Sequence, residues 1–196
     1  MSEAIIFGAG KIARGFLGQI LCNARVRMTF VDANESLVHR MNERGAYTVH
    51  VLGAPERNSV VTGYRAVSLS DAEAIRTEAK DARAVFTAIG GKNLAAAAPY
   101  IADALRAAPK PVNVITCENW NKPAALLESS VRALYPEVEA GFAESVVMRS
   151  AIEPDADALR RDPLCVNVQD FWRLPIDADA LAAPLPDVPE FRSEER

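Results

Sequence analysis

Ala4-Ile5-Ile6-Phe7-Gly8-Ala9-Gly10-Lys11-Ile12-Ala13 is the stretch on which the fold turns. A short apolar run meets glycines at once and then opens a helical pattern, which reads as a buried strand, a tight turn and a helix. The apolar residues Ile12, Phe16, Leu17, Ile20 and Leu21 recur at helical spacing. Within the stretch, Gly8-Ala9-Gly10-Lys11-Ile12-Ala13 fits G-x-G-x-x-G/A. Each small residue has a physical reason to be there. Gly8 permits the turn, Gly10 allows close approach of a pyrophosphate, and Ala13 lets the helix pack on the strand. The N–H groups around Lys11 and Ile12 then face a diphosphate at a helix N-terminus. Lys11 either adds charge there or is solvated at the rim, and the second reading is favoured.

Working outward, Met28–Val31 is the next apolar run, and Asp32 ends it about 20 residues beyond Gly10, the spacing of a ribose-binding acid. A carboxylate there accepts from the adenosine ribose hydroxyls and repels a 2′-phosphate, so NAD is expected over NADP. Ala33 and Asn34 follow in the same loop, and Asn34 caps a helix over about Glu35–Arg44 that stops at Gly45. Two β-rich segments, Tyr47–Val51 and Ser59–Tyr64, flank Gly53–Asn58 and read as an inserted antiparallel hairpin. A helix opens at Ser70-Asp71. Ala84–Ile89 is a strand stopped by Gly90-Gly91, Leu94–Ala108 an Ala-rich helix, Val112–Thr116 a strand, and Pro123–Leu134 a helix. Ala140–Val147 starts extended, and Leu164–Arg173 alternates enough for one more strand, antiparallel at an edge.

This alternation of strand and helix predicts an α/β fold: a doubly wound, mainly parallel sheet with an inserted hairpin. In such sheets ligands lie beyond the carboxyl ends of the strands. That points to Ala88, Ile89 and Gly90 after one strand and to Asn119 after another. By spacing alone Asn119 reads more readily as a loop or cap residue than as a nicotinamide neighbour. After Pro175 the chain turns Pro-rich and ends on charges. Residues 1–176 are therefore read as a nucleotide-binding domain and 177–196 as a linker-like tail.

The composition narrows the function classes. The 196 residues carry 22 Lys and Arg against 26 Asp and Glu, a net charge of −4. A mildly acidic chain lacks the basic face that nucleic acid or an anionic membrane demands. No apolar run approaches the ~18 residues of a membrane span. Cys22, Cys117 and Cys165 are widely spaced, and only His39 and His50 could join them, so no metal site is expected. Reduced, mostly buried thiols and a cytoplasmic location are the expectation. The start lacks the basic residues and long apolar run of a secretory signal.

Several segments together resemble the mannitol dehydrogenase family, the polyol-specific long-chain dehydrogenases. They are Phe7-Gly8-Ala9-Gly10-Lys11-Ile12-Ala13-Arg14-Gly15-Phe16, Tyr47–Gly53, Thr87-Ala88-Ile89-Gly90, Cys117-Glu118-Asn119, Asp162-Pro163-Leu164 and Pro184–Pro189, in family order over nearly the whole chain. The resemblance implies a Rossmann domain serving metal-independent, NAD-dependent oxidation of a secondary alcohol on a polyol or polyol phosphate. It implies that Asn119 helps hold the alcohol or carbonyl oxygen, which raises its functional reading above the loop-cap one. It also implies a C-terminal helical domain of the same protein, carrying the catalytic lysine with Asn and His partners, so no catalytic acid or base is assigned to this chain. Where the family reads V-D-R-I, this chain reads Val147-Met148-Arg149-Ser150, and Met148 replaces an acid that helps bind substrate. Arg149 then faces an anionic substrate or makes a structural ion pair. A hexuronate reductase of the same family and a non-catalytic NAD-responsive module are the competing functions.

Overall fold

The structure is a computed structural model and describes residues 2–194, with side chains through residue 192. Its elements, in chain order, begin with strand β1 (Ala4–Phe7) and helix α1, a π-type segment Ala13–Gly18 running into Gln19–Asn23. Then come β2 (Met28–Asp32), α2 (Glu35–Arg44), β3 (Ala46–Leu52), β4 (Ser59–Thr62) and β5 (Tyr64–Ser68). The chain continues through α3 (Ala72–Ala79), β6 (Ala84–Thr87), α4 (Leu94–Ala107), β7 (Val112–Thr116), α5 (Pro123–Leu134) and β8 (Ala140–Glu144). It closes with β9 (Ala151–Ile152), α6 (Ala156–Arg161), β10 (Val166–Gln169), β11 (Leu174–Asp177) and β12 (Phe191–Glu194).

Six strands form the central sheet in the order β5-β2-β1-β6-β7-β8, all pairs parallel. The chain winds outward from β1 through β2 to β5, then returns to β6 on the other flank of β1. The reversal leaves a crevice beyond Phe7, between its neighbours Val31 and Thr87. Side chains alternate about the sheet. Ala4 and Ile6 join the core beneath α1 and the second sheet, while Ile5 and Phe7 join the core beneath α3, α4 and α5. With both faces covered, β1 can be apolar throughout. Burying a side chain such as Ile5 or Phe7 is worth about 1.5–3 kcal/mol.

Three features differ from the sequence expectation. First, Ser59–Tyr64 is not one strand. The backbone turns at Gly63, where φ is +69°, and Tyr64 starts β5, an edge strand of the central sheet. Second, the hairpin belongs to a sheet of order β4-β3-β10-β9, in which β10 is interior, parallel to β3 and antiparallel to β9, rather than at an edge. Val166 and Val168 of β10 are buried against α1, where a Cβ on Gly15 would stand 2.8 and 2.7 Å from their Cγ1 atoms. Third, the stretch read as a linker is packed over its described part, to residue 194; residues 195 and 196 lie outside the described residues. β12 pairs with β11 in parallel, and Val188 is buried. The buried Asn113 of β7 accepts from the Ala182 N–H at 2.8 Å and donates to the Ala183 carbonyl at 2.7 Å.

The helix starts follow the sequence. The Asn34 side chain accepts from the Leu37 N–H at 3.1 Å, and Asp71 caps α3 through the Ala74 N–H at 2.9 Å. No helix among the described residues is long and apolar enough to cross a membrane. The three cysteines are unpaired thiols. Burial pushes Cys117 up to about 12 despite a hydrogen bond from Ser145, and raises Cys165 as well. A thiol-reactive dye at neutral pH is therefore expected to label the half-buried Cys22 first, and Cys117 and Cys165 only on unfolding. Peptide mapping of the labelled chain checks this.

Candidate functional site

The crevice holds a cavity of about 550 Å³. Phe7, Gly8 and Gly10 form its floor, Val31, Asp32 and Ala33 one wall, and Ala88 and Ile89 the other. Leu69 and the Asn93, Ala96, Ala97 and Tyr100 face of the α4 region complete it. Six residues expected from sequence thus meet in one place: Gly8, Gly10, Asp32, Ala33, Ala88 and Ile89. The apolar wall of Leu69, Ala96, Ala97 and Tyr100 lies outside the sequence expectation. The signal available was that Ala96, Ala97 and Tyr100 share a helical face one turn apart.

The glycine turn is held from several directions. Gly8 has φ of +99°, and a Cβ on it would stand 2.4 Å from the Ala88 carbonyl oxygen. Its N–H donates to the Val31 carbonyl at 2.7 Å. Gly10 is exposed, and a Cβ on it would meet nothing within 4 Å beyond its chain neighbours. The Ala9 N–H donates to Asp32 Oδ2 at 2.6 Å, and the Asn34 N–H donates to Oδ1 at 2.8 Å. Asp32 thus ties the glycine turn to its own loop. Each carboxylate oxygen retains a lone pair for a ligand hydroxyl. Ile12 is half-buried at the first turn of α1, and Lys11 is exposed at the rim, paired with Glu153 at 2.9 Å.

Two residues to which the sequence assigns no role act on this site. The Arg14 guanidinium is buried beneath the turn and donates to the Ala9 carbonyl, and through Nε to the Leu164 carbonyl at 3.3 Å. Burial lowers its pKa from the usual arginine value. Glu118 accepts from the Ile89 N–H on one oxygen and the Gly90 N–H on the other, both at 2.9 Å, bracing the loop after β6. Burial raises the Glu118 carboxyl above its ordinary value, against these two hydrogen bonds. Glu118→Ala is expected to cost about 1–3 kcal/mol, because it strips acceptors from two backbone donors. Urea unfolding measures the loss.

Gly90 and Asn119 lie outside the cavity walls, on the rim beyond β6 and β7. Asn119 is exposed beside Trp120, whose ring occupies the space a Cβ on Gly91 would need. Arg149 is 1% exposed. Its guanidinium lies 4.5 Å from the centre of the Trp172 ring and 5.4 Å from that of Phe16. It donates to the Gln169 carbonyl at 2.8 Å and the Gly15 carbonyl at 3.3 Å. Burial lowers its pKa to about 10, partly offset by Asp170 and Glu190. Neither open surface nor a contacting carboxylate meets it among the described residues, so in place of both readings, a face toward an anionic substrate and a structural ion pair, carbonyl and aromatic contacts hold it. Met148, next to it, is about half exposed.

The residues fit a dinucleotide: a turn where a side chain would clash, open space at Gly10 for a phosphate, a carboxylate at the end of β2, and an apolar slot beside it. A doubly wound sheet with this site is the nucleotide-binding domain of the dehydrogenase class. Residues 2–190 match the mannitol dehydrogenase Rossmann domain, and the chain belongs to that family. Solved structures with this fold include a PanE/ApbA-family ketopantoate reductase from Ralstonia eutropha JMP134, 18% identical, with a TM-score of 0.66 over 98% of this chain and 57% of that one. Octopine dehydrogenase with NADH and L-arginine is 12% identical, with a TM-score of 0.70 over 99% of this chain and 49% of that one. A UDP-glucose dehydrogenase from Pyrobaculum islandicum is 17% identical, with a TM-score of 0.60 over 90% and 40%. The chain spans between 40% and 57% of the length of these three.

Proposed function

We propose that this chain is the NAD-binding half of an oxidoreductase acting on a secondary alcohol of an open-chain polyol or polyol phosphate, in the manner of a mannitol-1-phosphate 5-dehydrogenase. The observation that carries the reading is the Asp32 carboxylate, which stands in the cavity wall and is bonded to the glycine turn at Ala9. A carboxylate so fixed accepts from the two ribose hydroxyls and repels a phosphate on the 2′ oxygen, which favours NAD over NADP. When bound, the nicotinamide supplies the hydride acceptor or donor. Gly8, Ala9, Gly10, Lys11 and Ile12 would hold the diphosphate, and Asp32, Ala33 and Asn34 the adenosine ribose. Ala88, Ile89 and Gly90 would flank the nicotinamide half.

Asn119, exposed beyond β7, would donate to the alcohol or carbonyl oxygen and steady negative charge on it. Arg149, buried under Trp172, would shape the floor beside substrate rather than touch it. No acid or base is assigned on this chain. A helical domain of the same protein would bring the lysine that takes the alcohol proton, in a cytoplasmic enzyme on small substrates. Met148 stands where the family places an acid and cannot bind a hydroxyl as a carboxylate does. The reading is therefore for the class of polyols rather than for mannitol itself.

Two assays with the chain alone test this: NADH fluorescence for binding, and NADH absorbance for turnover, which would rise with NAD+ and a panel of hexitols and hexitol phosphates or fall with NADH and hexuronates bearing a keto group. The expected result is enhanced fluorescence on binding, with no turnover of any compound. Turnover by the chain alone would contradict the assignment of the base to another domain.

A further inference from the structure

We propose that Arg14 is a positioning residue for the cofactor diphosphate: from beneath the glycine turn it orients the Ala9–Gly10 peptide so that the Gly10 N–H points at the phosphate. The inference rests on the reading of the cleft as a dinucleotide site. Arg14 is only 9% exposed, and among the described residues its guanidinium meets carbonyl oxygens rather than a carboxylate. One of these is the Ala9 carbonyl, whose hydrogen bond to Nη1 draws it down toward the buried side of the turn. The Ala9–Gly10 peptide is trans, so its N–H points opposite to its C=O. The Gly10 N–H is thereby turned away from Arg14, toward the exposed side of the turn. The preceding peptide is fixed independently, because the Ala9 N–H donates to Asp32. Without Arg14 the Ala9 carbonyl would lose its partner, and the Ala9–Gly10 plane would be free to rotate.

A buried guanidinium on neutral acceptors is an expensive placement. Here it sets a phosphate donor from beneath the turn. The effect is specific to the phosphates. Arg14 is not among the residues that line the cavity with Leu69, Ala96, Ala97 and Tyr100.

The test compares NAD+ by calorimetry and adenosine, a phosphate-free probe, by NMR titration in the unmutated chain, Arg14→Met and Arg14→Lys. Circular dichroism establishes folding. The expected result for Arg14→Met is an NAD+ affinity about tenfold lower or worse, with adenosine affinity unchanged within about twofold. Arg14→Lys, whose ammonium can still donate to the Ala9 carbonyl, is expected to recover most of the loss. Unchanged NAD+ affinity, or an equal loss for both probes, would overturn the proposal. In the unmutated chain the Gly10 amide proton is expected to move downfield with ADP-ribose and to stay within line width with adenosine. That measurement decides the matter if Arg14→Met does not fold, and a still Gly10 amide would refute the proposal. Failure of the unmutated chain to bind NAD+ at all is a separate result, against the cofactor reading itself.

Discussion

Gly8→Ala is expected to lower stability by about 2–5 kcal/mol and to abolish measurable dinucleotide binding. The reasons are independent. At φ of +99° a side chain strains the backbone. The added Cβ would also stand 2.4 Å from the Ala88 oxygen and 2.9 Å from its carbonyl carbon. Those are backbone atoms of the loop after β6, and they cannot swing away as a flexible side chain would. The loops after β1 and β6 must separate, and the crevice between them changes shape. Gly10→Ala supplies the contrast. Its Cβ meets nothing in the protein but occupies the space assigned to the phosphates. Stability is expected to hold within about 1 kcal/mol, the cost of losing an exposed glycine's freedom being small, while NAD+ affinity falls. Urea unfolding and NAD+ calorimetry on both variants separate the two effects.

Asp32→Ala is expected to weaken NAD+ by about one to two orders of magnitude and to remove most of the preference over NADP+. The carboxylate acts in two ways. It accepts from the buried Ala9 N–H, so its removal loosens the glycine turn and costs about 1–3 kcal/mol of stability. It also supplies the negative charge that a 2′-phosphate would meet. Asp32→Asn separates these. Its single oxygen can still accept from the Ala9 N–H, leaving the exposed Asn34 N–H to water, so stability is largely kept, while the repulsion of NADP+ is lost. A selectivity that collapses in both variants, with stability lost chiefly in the alanine one, is the expected pattern by calorimetry and urea unfolding.

Much of the scaffold was legible, for a physical reason. β1, β2, β6 and β7 are buried on both faces, so they stand out as mainly apolar runs beside glycines or caps, interrupted only by buried polar residues such as Thr29 and Asn113. β5 was hidden because it is an edge strand with exposed Arg65, separated from the hairpin by Gly63 alone. β10 pairs with β3 across more than a hundred residues, and no local pattern announces a parallel partner so distant. The Pro-rich stretch reads as loose, yet Asn113 and β11 fasten it through backbone groups.

The same division runs through the site. Gly8, Gly10 and Asp32 were legible as members of one cleft because a tight turn and the end of a buried strand restrict what can stand there. Arg14 and Glu118 were not, since each acts on particular backbone atoms, the Ala9 carbonyl in one case and the Ile89 and Gly90 N–H groups in the other. The burial of Arg149 between two aromatic rings was equally invisible, because Phe16 and Trp172 lie far from it in sequence.

The central claim is a working NAD site on this chain. Calorimetric titration of the unmutated protein with NAD+, and separately with NADP+, tests it most directly. Saturable one-to-one binding of NAD+ is expected, with NADP+ at least about tenfold weaker, the penalty of placing a 2′-phosphate beside the Asp32 carboxylate. Equal or tighter binding of NADP+ would contradict the role given to Asp32, and no binding of either by the folded chain would contradict the site.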